Sequence, residues 1–361
     1  MRKTTTFIIM LFTIYTFASI PSGYYTTLNG KHSAALKTEL HNILMQDTSR
    51  YYSYGSGANH TWNGFYNTDR DTITNLVIDM YSDSLRYFAT DYITLGYPSF
   101  GQKIHIEHSL PKSWWGSHEW SAYKDLNHLY PAEGGTNLSK SDNPLGVVSG
   151  IPTKNNGVSK IGPAVYNGYV GNVFEPADQY KGDFARTYFY MATAYEHYKN
   201  LWDSTKPENM MQNNTYPVFK QWAIDLLMEW SSLDPVSEKE LTRNEKVYSI
   251  QGNRNPFIDY SNLADYIWGN LIGSPWNLST DQNNITKSPY EFSYNSNSRS
   301  VKILSTENEP LHLTVISLEG KIIYNTISTT NCEILLSNLN KGVYVIYSMV
   351  NNYKQINKII L

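Results

Sequence analysis

The sequence predicts an α+β domain followed by a small all-β domain, and three observations lead there. Helical patterns and aromatic residues fill the stretch from Tyr24 to Gly273. Two short extended pieces interrupt them, around Ile104 to Leu110 and Leu126 to Pro131. After a polar stretch the texture changes to short β runs.

Composition frames this. A chain of 361 residues is long enough for two domains and a substantial core. Hydrophobic residues at 41% against charged residues at 17% exclude disorder for the bulk of the chain. The net charge of -3 carries no basic signature, which on charge alone argues against a nucleic-acid partner. The 30 Tyr and 9 Trp pack cores, but exposed ones also suit sugar faces and bases.

In chain order, residues 1–20 read as a secretory signal: Arg2 and Lys3, an apolar run from Phe7 to Phe17, then Ala18 and Ser19. Cleavage is expected between Ser19 and Ser22. No other apolar stretch approaches membrane length, so the mature chain is expected to carry no transmembrane segment. The single Cys332 excludes an internal disulfide and a cysteine-ligated zinc site.

Residues 21–273 form the expected main domain. Helices are expected over Ser33 to Gln46, where apolar residues fall at helical spacing, Asp183 to Asn200, Pro217 to Ser232, with Pro217 in the first turn, and Ser237 to Ile250, with Ser237 and Glu240 at capping-box spacing. A further helix is expected near Thr136, which would cap it ahead of Asn137. Residues 274–295 read as a polar linker. Residues 296–361 contain "LHLTVISL", "KIIYNTI", "EILLSNL" and "GVYVIYSMV", separated by Glu319-Gly320 and Lys341-Gly342 and other turn residues, and predict a β-sandwich.

The chemistry lies in the middle stretch that holds the two extended pieces, from Ile104 to Gly150. "IHIEHSLPKSWWG" (Ile104 to Gly116) places Glu107 and His108 at the end of a strand that Pro111 terminates. "DLNHLYPAEGGTNLSKSDNPLG" (Asp125 to Gly146) supplies a second strand and a helix opening with Asn137. A hairpin with a helix folded across it can gather Glu107, His108 and Asn137. Glu107 and Asn137 offer the carboxylate and carbonyl oxygens that a hard cation such as Mg²⁺ wants. His108, if not a ligand, is free to act as a base near neutral pH. Neighbours in a regular strand face opposite sides, so Glu107 and His108 share a site only where the strand twists, bulges or ends.

Together with "GDFARTYFYMATAY" and "WSSLDPVSEKELTRNEKVYSIQGNRNPFIDY", these blocks resemble the endonuclease I family of exported bacterial nucleases, over about Tyr24 to Gly269. The resemblance implies a ββα-metal (His-metal finger) core embedded in helices. It implies hydrolysis of DNA, RNA or both with a divalent ion, Mg²⁺ first and Ca²⁺ or Mn²⁺ as alternatives. Glu107 and Asn137 match the metal ligands and His108 the general base, and attack by water leaves a 5′-phosphate. Two departures stand out: several relatives are disulfide-rich, and Lys140 stands where many carry Arg, losing the planar fork for phosphate. The tail, with "VISLEGKIIY", "LSNLNKGVYVIY" and "KQINKIIL", resembles a type IX secretion sorting domain. This implies export through the periplasm to the surface or medium, with the type IX machinery as partner. A monomer is expected.

Arg186, Arg254, Lys140 and His128 are further candidates for contacting substrate or orienting the site. Arg186 is read in the first turn of its helix, where the dipole disfavours it, with a structural ion pair as the alternative. Trp114, Trp115 and Trp120 are candidates for base stacking, against the default of core packing. A rival reading from another class is a glycan- or nucleic-acid-binding surface protein without catalysis.

Overall fold

A computed structural model describes residues 20–72, 74–83, 87–88, 104–116, 118–202, 209–278, 290–295, 298–317, 321–350 and 353–360. The expected signal segment (apart from Ile20), residues 279–289 of the expected linker and the Glu319-Gly320 turn lie outside the described residues. The chain divides into two units, Met1–Leu278 and Ser279–Leu361. Among the described residues, no helix is long and apolar enough to cross a membrane.

The first unit opens with α1 (Ser33–Leu44) and α2 (Thr61–Thr68). Strands β1 (Ile104–His108) and β2 (Leu129–Glu133) pair antiparallel, Glu107 opposite Tyr130 and His108 opposite Leu129, and α3 (Gly134–Lys140) follows directly. A three-stranded meander, β3 (Lys154–Asn155), β4 (Lys160–Tyr166) and β5 (Tyr169–Glu175), comes next, which sequence patterning did not predict. Helices α4 (Lys181–Ala194), α5 (Gln221–Leu233), α6 (Glu238–Gln251), α7 (Pro256–Asp259) and α8 (Leu263–Ile267) complete the unit.

Helix α4 is the axis of the core. Every residue from Gly182 to Ala194 is buried, so it has no solvent face to show amphipathic spacing. The main core gathers α1, α4, α5 and both Trp114 and Trp115. A second cluster, with Trp62, Phe65, Ile104, Leu126, Leu129 and Val247, lies on the other side of the β1–β2 ribbon. An isolated two-stranded ribbon is marginal in water. Packing on both faces makes this one a rigid platform, with Leu129 in one cluster and the adjacent Tyr130 in the other.

Local signals decided several helix ends. Ser237 caps α6 through a complete capping box with Glu240, and Gly252 ends it at φ +85°. Two expectations are corrected. Helix α3 is capped by Glu133, not Thr136: the Glu133 carboxylate accepts from Gly135 N at 2.8 Å, Thr136 N at 2.6 Å and Thr136 Oγ1 at 2.8 Å, and its charge complements the helix N-terminus. Helix α5 begins at Gln221, so Pro217 lies outside it. The 217–220 backbone is committed elsewhere, Gln212 N donating to Val218 O, Lys220 N to Met210 O and Trp268 Nε1 to Pro217 O.

The domain boundary also moves. Trp276 is buried in the first unit, exchanges backbone hydrogen bonds with Gly30 and Lys31, and packs edge-on against Tyr260. Residues 274–278 therefore belong to the first unit, not the linker. The second unit begins its regular structure at β6 (Tyr290–Asn295), ahead of the expected residue 296. It continues through β7 (Ser300–Ser305), β8 (Pro310–Ser317), β9 (Ile322–Thr329), β10 (Cys332–Leu335), β11 (Val343–Val350) and β12 (Tyr353–Ile360). Its sheets, ordered β10-β7-β6 and β12-β11-β8-β9, close over one apolar cluster that includes Val301, Ile303, Leu313 and Ile346.

Candidate active site

The end of β1 carries two buried side chains with reactive chemistry. His108 is 5% exposed, and its Nε2 lies 3.0 Å from the Tyr123 carbonyl oxygen. A carbonyl only accepts, so Nε2 holds the proton and Nδ1 of the neutral ring keeps its lone pair. Burial, and after it the neighbouring His128, hold the imidazole well below its ordinary pKa, against the bond to Tyr123. The ring is therefore neutral near pH 7, the state a proton acceptor requires. Tyr54 stacks over it at 5.5 Å and 16°, and Tyr123, Trp115 and His128 complete an aromatic wall.

Glu107 faces α3. Its Oε1 is 2.8 Å from Lys140 Nζ, and Lys140 is fully buried. The distance is that of an ion pair, and among the described residues neither atom has a further partner. Burial raises the Glu107 carboxyl above its usual range, and the Lys140 charge opposes that shift. Asn137 stands half-buried on α3, one turn before Lys140, hence on the same helix face. The Lys140 and Lys112 charges bear on both Glu107 and His108, so the two neighbours share an electrostatic environment although strand alternation sends them different ways.

The segment that presents the Tyr123 carbonyl is itself pinned. Asp125 is fully buried; its Oδ2 accepts from Tyr190 Oη at 2.6 Å and Tyr195 Oη at 2.7 Å, and its Oδ1 from Gln251 Nε2 at 2.6 Å and Asn127 N at 2.8 Å. His128, also fully buried, bonds the Ala122 carbonyl at 2.6 Å, from the same short turn. Sequence reading named His128 but missed Tyr54, Asp125 and the Tyr123 carbonyl. A main-chain acceptor leaves no residue-type signal, and one Asp among many does not announce its tyrosine partners.

Two other candidates lie elsewhere. Arg186 is 1% exposed and forms a bidentate pair with Glu240 at 2.6 and 2.8 Å, with a third bond to Asp234 O at 2.9 Å. It is also well inside α4, not in its first turn. Arg254 is 4% exposed and bonds both oxygens of Asp259, with Glu245 on Nη1. Both guanidinium groups are spent on carboxylates, so the expected phosphate contacts are corrected to structural ion pairs. Lys140 likewise presents no ammonium to solvent. Trp114 and Trp115 are core residues, whereas Trp120 is 49% exposed and stacks on His118 at 4.4 Å.

Among the described residues, no group of three or more His, Cys, Asp or Glu side chains is placed to hold a metal. A site of the mixed kind, one carboxylate and one amide oxygen with water and substrate completing it, needs only Glu107 and Asn137. The buried Glu107 Oε1, met by Lys140 Nζ and no further described partner, is an oxygen of the right type for such an ion.

Comparison with known proteins adds to this geometry. The family described as Endonuclease I matches residues 32–262, and the one described as a secretion system C-terminal sorting domain matches residues 295–361. The extracellular ribonuclease of Bacillus amyloliquefaciens is 33% identical over 249 residues, spanning 68% of this chain and 78% of that protein. The extracellular ribonuclease of Bacillus subtilis (strain 168) is 32% identical over 252 residues, with the same shares. Endonuclease-1 of Buchnera aphidicola is 26% identical over 175 residues, 43% of this chain and 59% of its own length.

Proposed function

This chain belongs to the endonuclease I family and is a secreted nuclease with a type IX sorting domain; from that premise we propose that it is a divalent-metal-dependent phosphodiesterase of low sequence specificity, with His108 as general base. The single observation that carries the reading is the bond from His108 Nε2 to the Tyr123 carbonyl, which leaves Nδ1 of a neutral imidazole as a proton acceptor.

Glu107 and Asn137 would hold the ion. When bound, it supplies positive charge to the phosphoryl group and the leaving oxygen. His108 Nδ1 takes a proton from water; the resulting hydroxide attacks phosphorus; the 3′ oxygen leaves, and the phosphate stays on the 5′ end. Tyr123 and the Asp125 network hold the imidazole in the working tautomer throughout. Attack by water needs no ribose 2′-OH, so the same residues serve DNA and RNA. The ribonuclease names of the Bacillus relatives support RNA as one substrate. The sorting domain directs export through the periplasm to the surface or medium.

Plasmid nicking and hydrolysis of a labelled single-stranded RNA, each with Mg²⁺ and with EDTA, test this. Cleavage only with Mg²⁺, giving 5′-phosphate ends, is expected. Cleavage undiminished in EDTA, or 2′,3′-cyclic phosphate products from RNA, would overturn it.

A further inference from the structure

Buried ion pairs in this protein differ in one respect. Lys37 and Glu196 meet at 2.7 Å with a hydrogen bond, and Thr38 bonds the same carboxylate oxygen. Arg186 grips Glu240 with two bonds. Lys140 and Glu107 are as close, at 2.8 Å, yet among the described residues neither Nζ nor Oε1 has a partner beyond the other. An ammonium carries three donors and no acceptor, so burying it against a single partner is costly. A pair that only had to stabilise the fold would be better satisfied, or replaced by apolar packing.

The position of Lys140 supplies a reason. It sits one turn from Asn137, on the helix face that reaches Glu107. Its ammonium therefore stands against the carboxylate oxygen that the proposed function gives to a divalent ion. A hard cation binds such an oxygen at roughly 2.0 to 2.6 Å. A second positive charge in contact with the same atom would be strongly repelled at that range.

We propose that Lys140 is an internal counter-cation: its ammonium neutralises the buried Glu107 when no divalent ion is bound, and a divalent ion must displace it to use that carboxylate. With no second partner to hold it, the ammonium is exchangeable. Lys140 thereby sets the ion affinity downward while protecting the ion-free fold from an unpaired buried carboxylate. This rests on the reading of Glu107 as an ion ligand.

The test is binding of Mn²⁺ and Mg²⁺ to the full chain by calorimetry, with melting temperatures in EDTA and in excess ion. Lys140→Met should bind Mn²⁺ about tenfold tighter than the native chain, because a competing charge is gone. It should also melt lower in EDTA, with the deficit shrinking when the ion is added. Lys140→Arg should bind the ion more weakly than the native chain, since a guanidinium fork grips the carboxylate better. This variant keeps the charge, so it keeps the ordering testable if Lys140→Met does not fold. Glu107→Gln is the control that separates the two levels. If it abolishes binding while neither Lys140 variant moves the affinity as stated, the counter-cation role fails alone. If it leaves binding unchanged, the ligand reading and the counter-cation role fall together.

Discussion

The imidazole of His108 and the main-chain carbonyl of Tyr123, fifteen residues later, are joined at 3.0 Å. That bond decides which ring nitrogen carries the proton, and so which one can accept another. It connects the end of β1 to a short turn, Ser121–Lys124, that the Asp125 network holds in place.

Replacing His108 by Ala removes the acceptor and no ion ligand. Cleavage should fall by about 10²- to 10⁴-fold, the range expected for loss of a general base, with Mn²⁺ affinity by calorimetry nearly unchanged. Loss of ion binding in this variant would move His108 from base to ligand.

Arg186 is a sharp test of structure against substrate contact. Arg186→Met leaves the Glu240 carboxylate buried and unpaired and should cost about 3–5 kcal/mol in urea denaturation. KM for DNA, measured below the melting temperature, should hold. A raised KM with native stability would restore the phosphate contact.

Asp79 makes a pH prediction. Its carboxylate accepts from Tyr81 N, Ser82 Oγ and Glu133 N, yet burial dominates and pushes it up to about 6. The unfolded chain releases that proton at about 3.9. Between those values the folded state binds more protons than the unfolded one. The group's contribution is therefore full at lower pH and is lost as pH rises toward about 6. The stability difference between the native chain and Asp79→Asn should shift by on the order of 2 kcal/mol, against the native chain, over that window. A pH-independent difference would show that Asp79 titrates normally.

Truncation tests the domain boundary. A chain ending after Leu278 keeps Trp276 and should fold and cut at close to the native rate. A chain ending after Gly273 loses that buried indole with its backbone bridge to Lys31, and should be less stable by about 3–5 kcal/mol, the usual cost of emptying a tryptophan site. Equal melting temperatures for the two chains would return residues 274–278 to the linker.

What depends on near neighbours was legible in the residues alone. The strand–strand–helix order from Ile104 to Lys140, the α6 capping box and the alternation along β11 rest on interactions spanning a few residues, and composition reports them directly. The sequence also put Glu107, His108 and Asn137 in order, since residue type and sequence position suffice for that. Tertiary structure alone decided which charges are spent and which remain available. Arg186 meets Glu240 across 54 positions, and Gln251 reaches Asp125 across 126. A buried guanidinium and a solvent-facing one are the same letter in a sequence. The same holds for the tyrosines: their abundance suits either a core or an exposed binding face, and Tyr190 and Tyr195 lie in the core with their hydroxyls on one carboxylate. Desolvation makes such groups seek partners wherever the chain brings them, and that search is settled only when the whole fold closes.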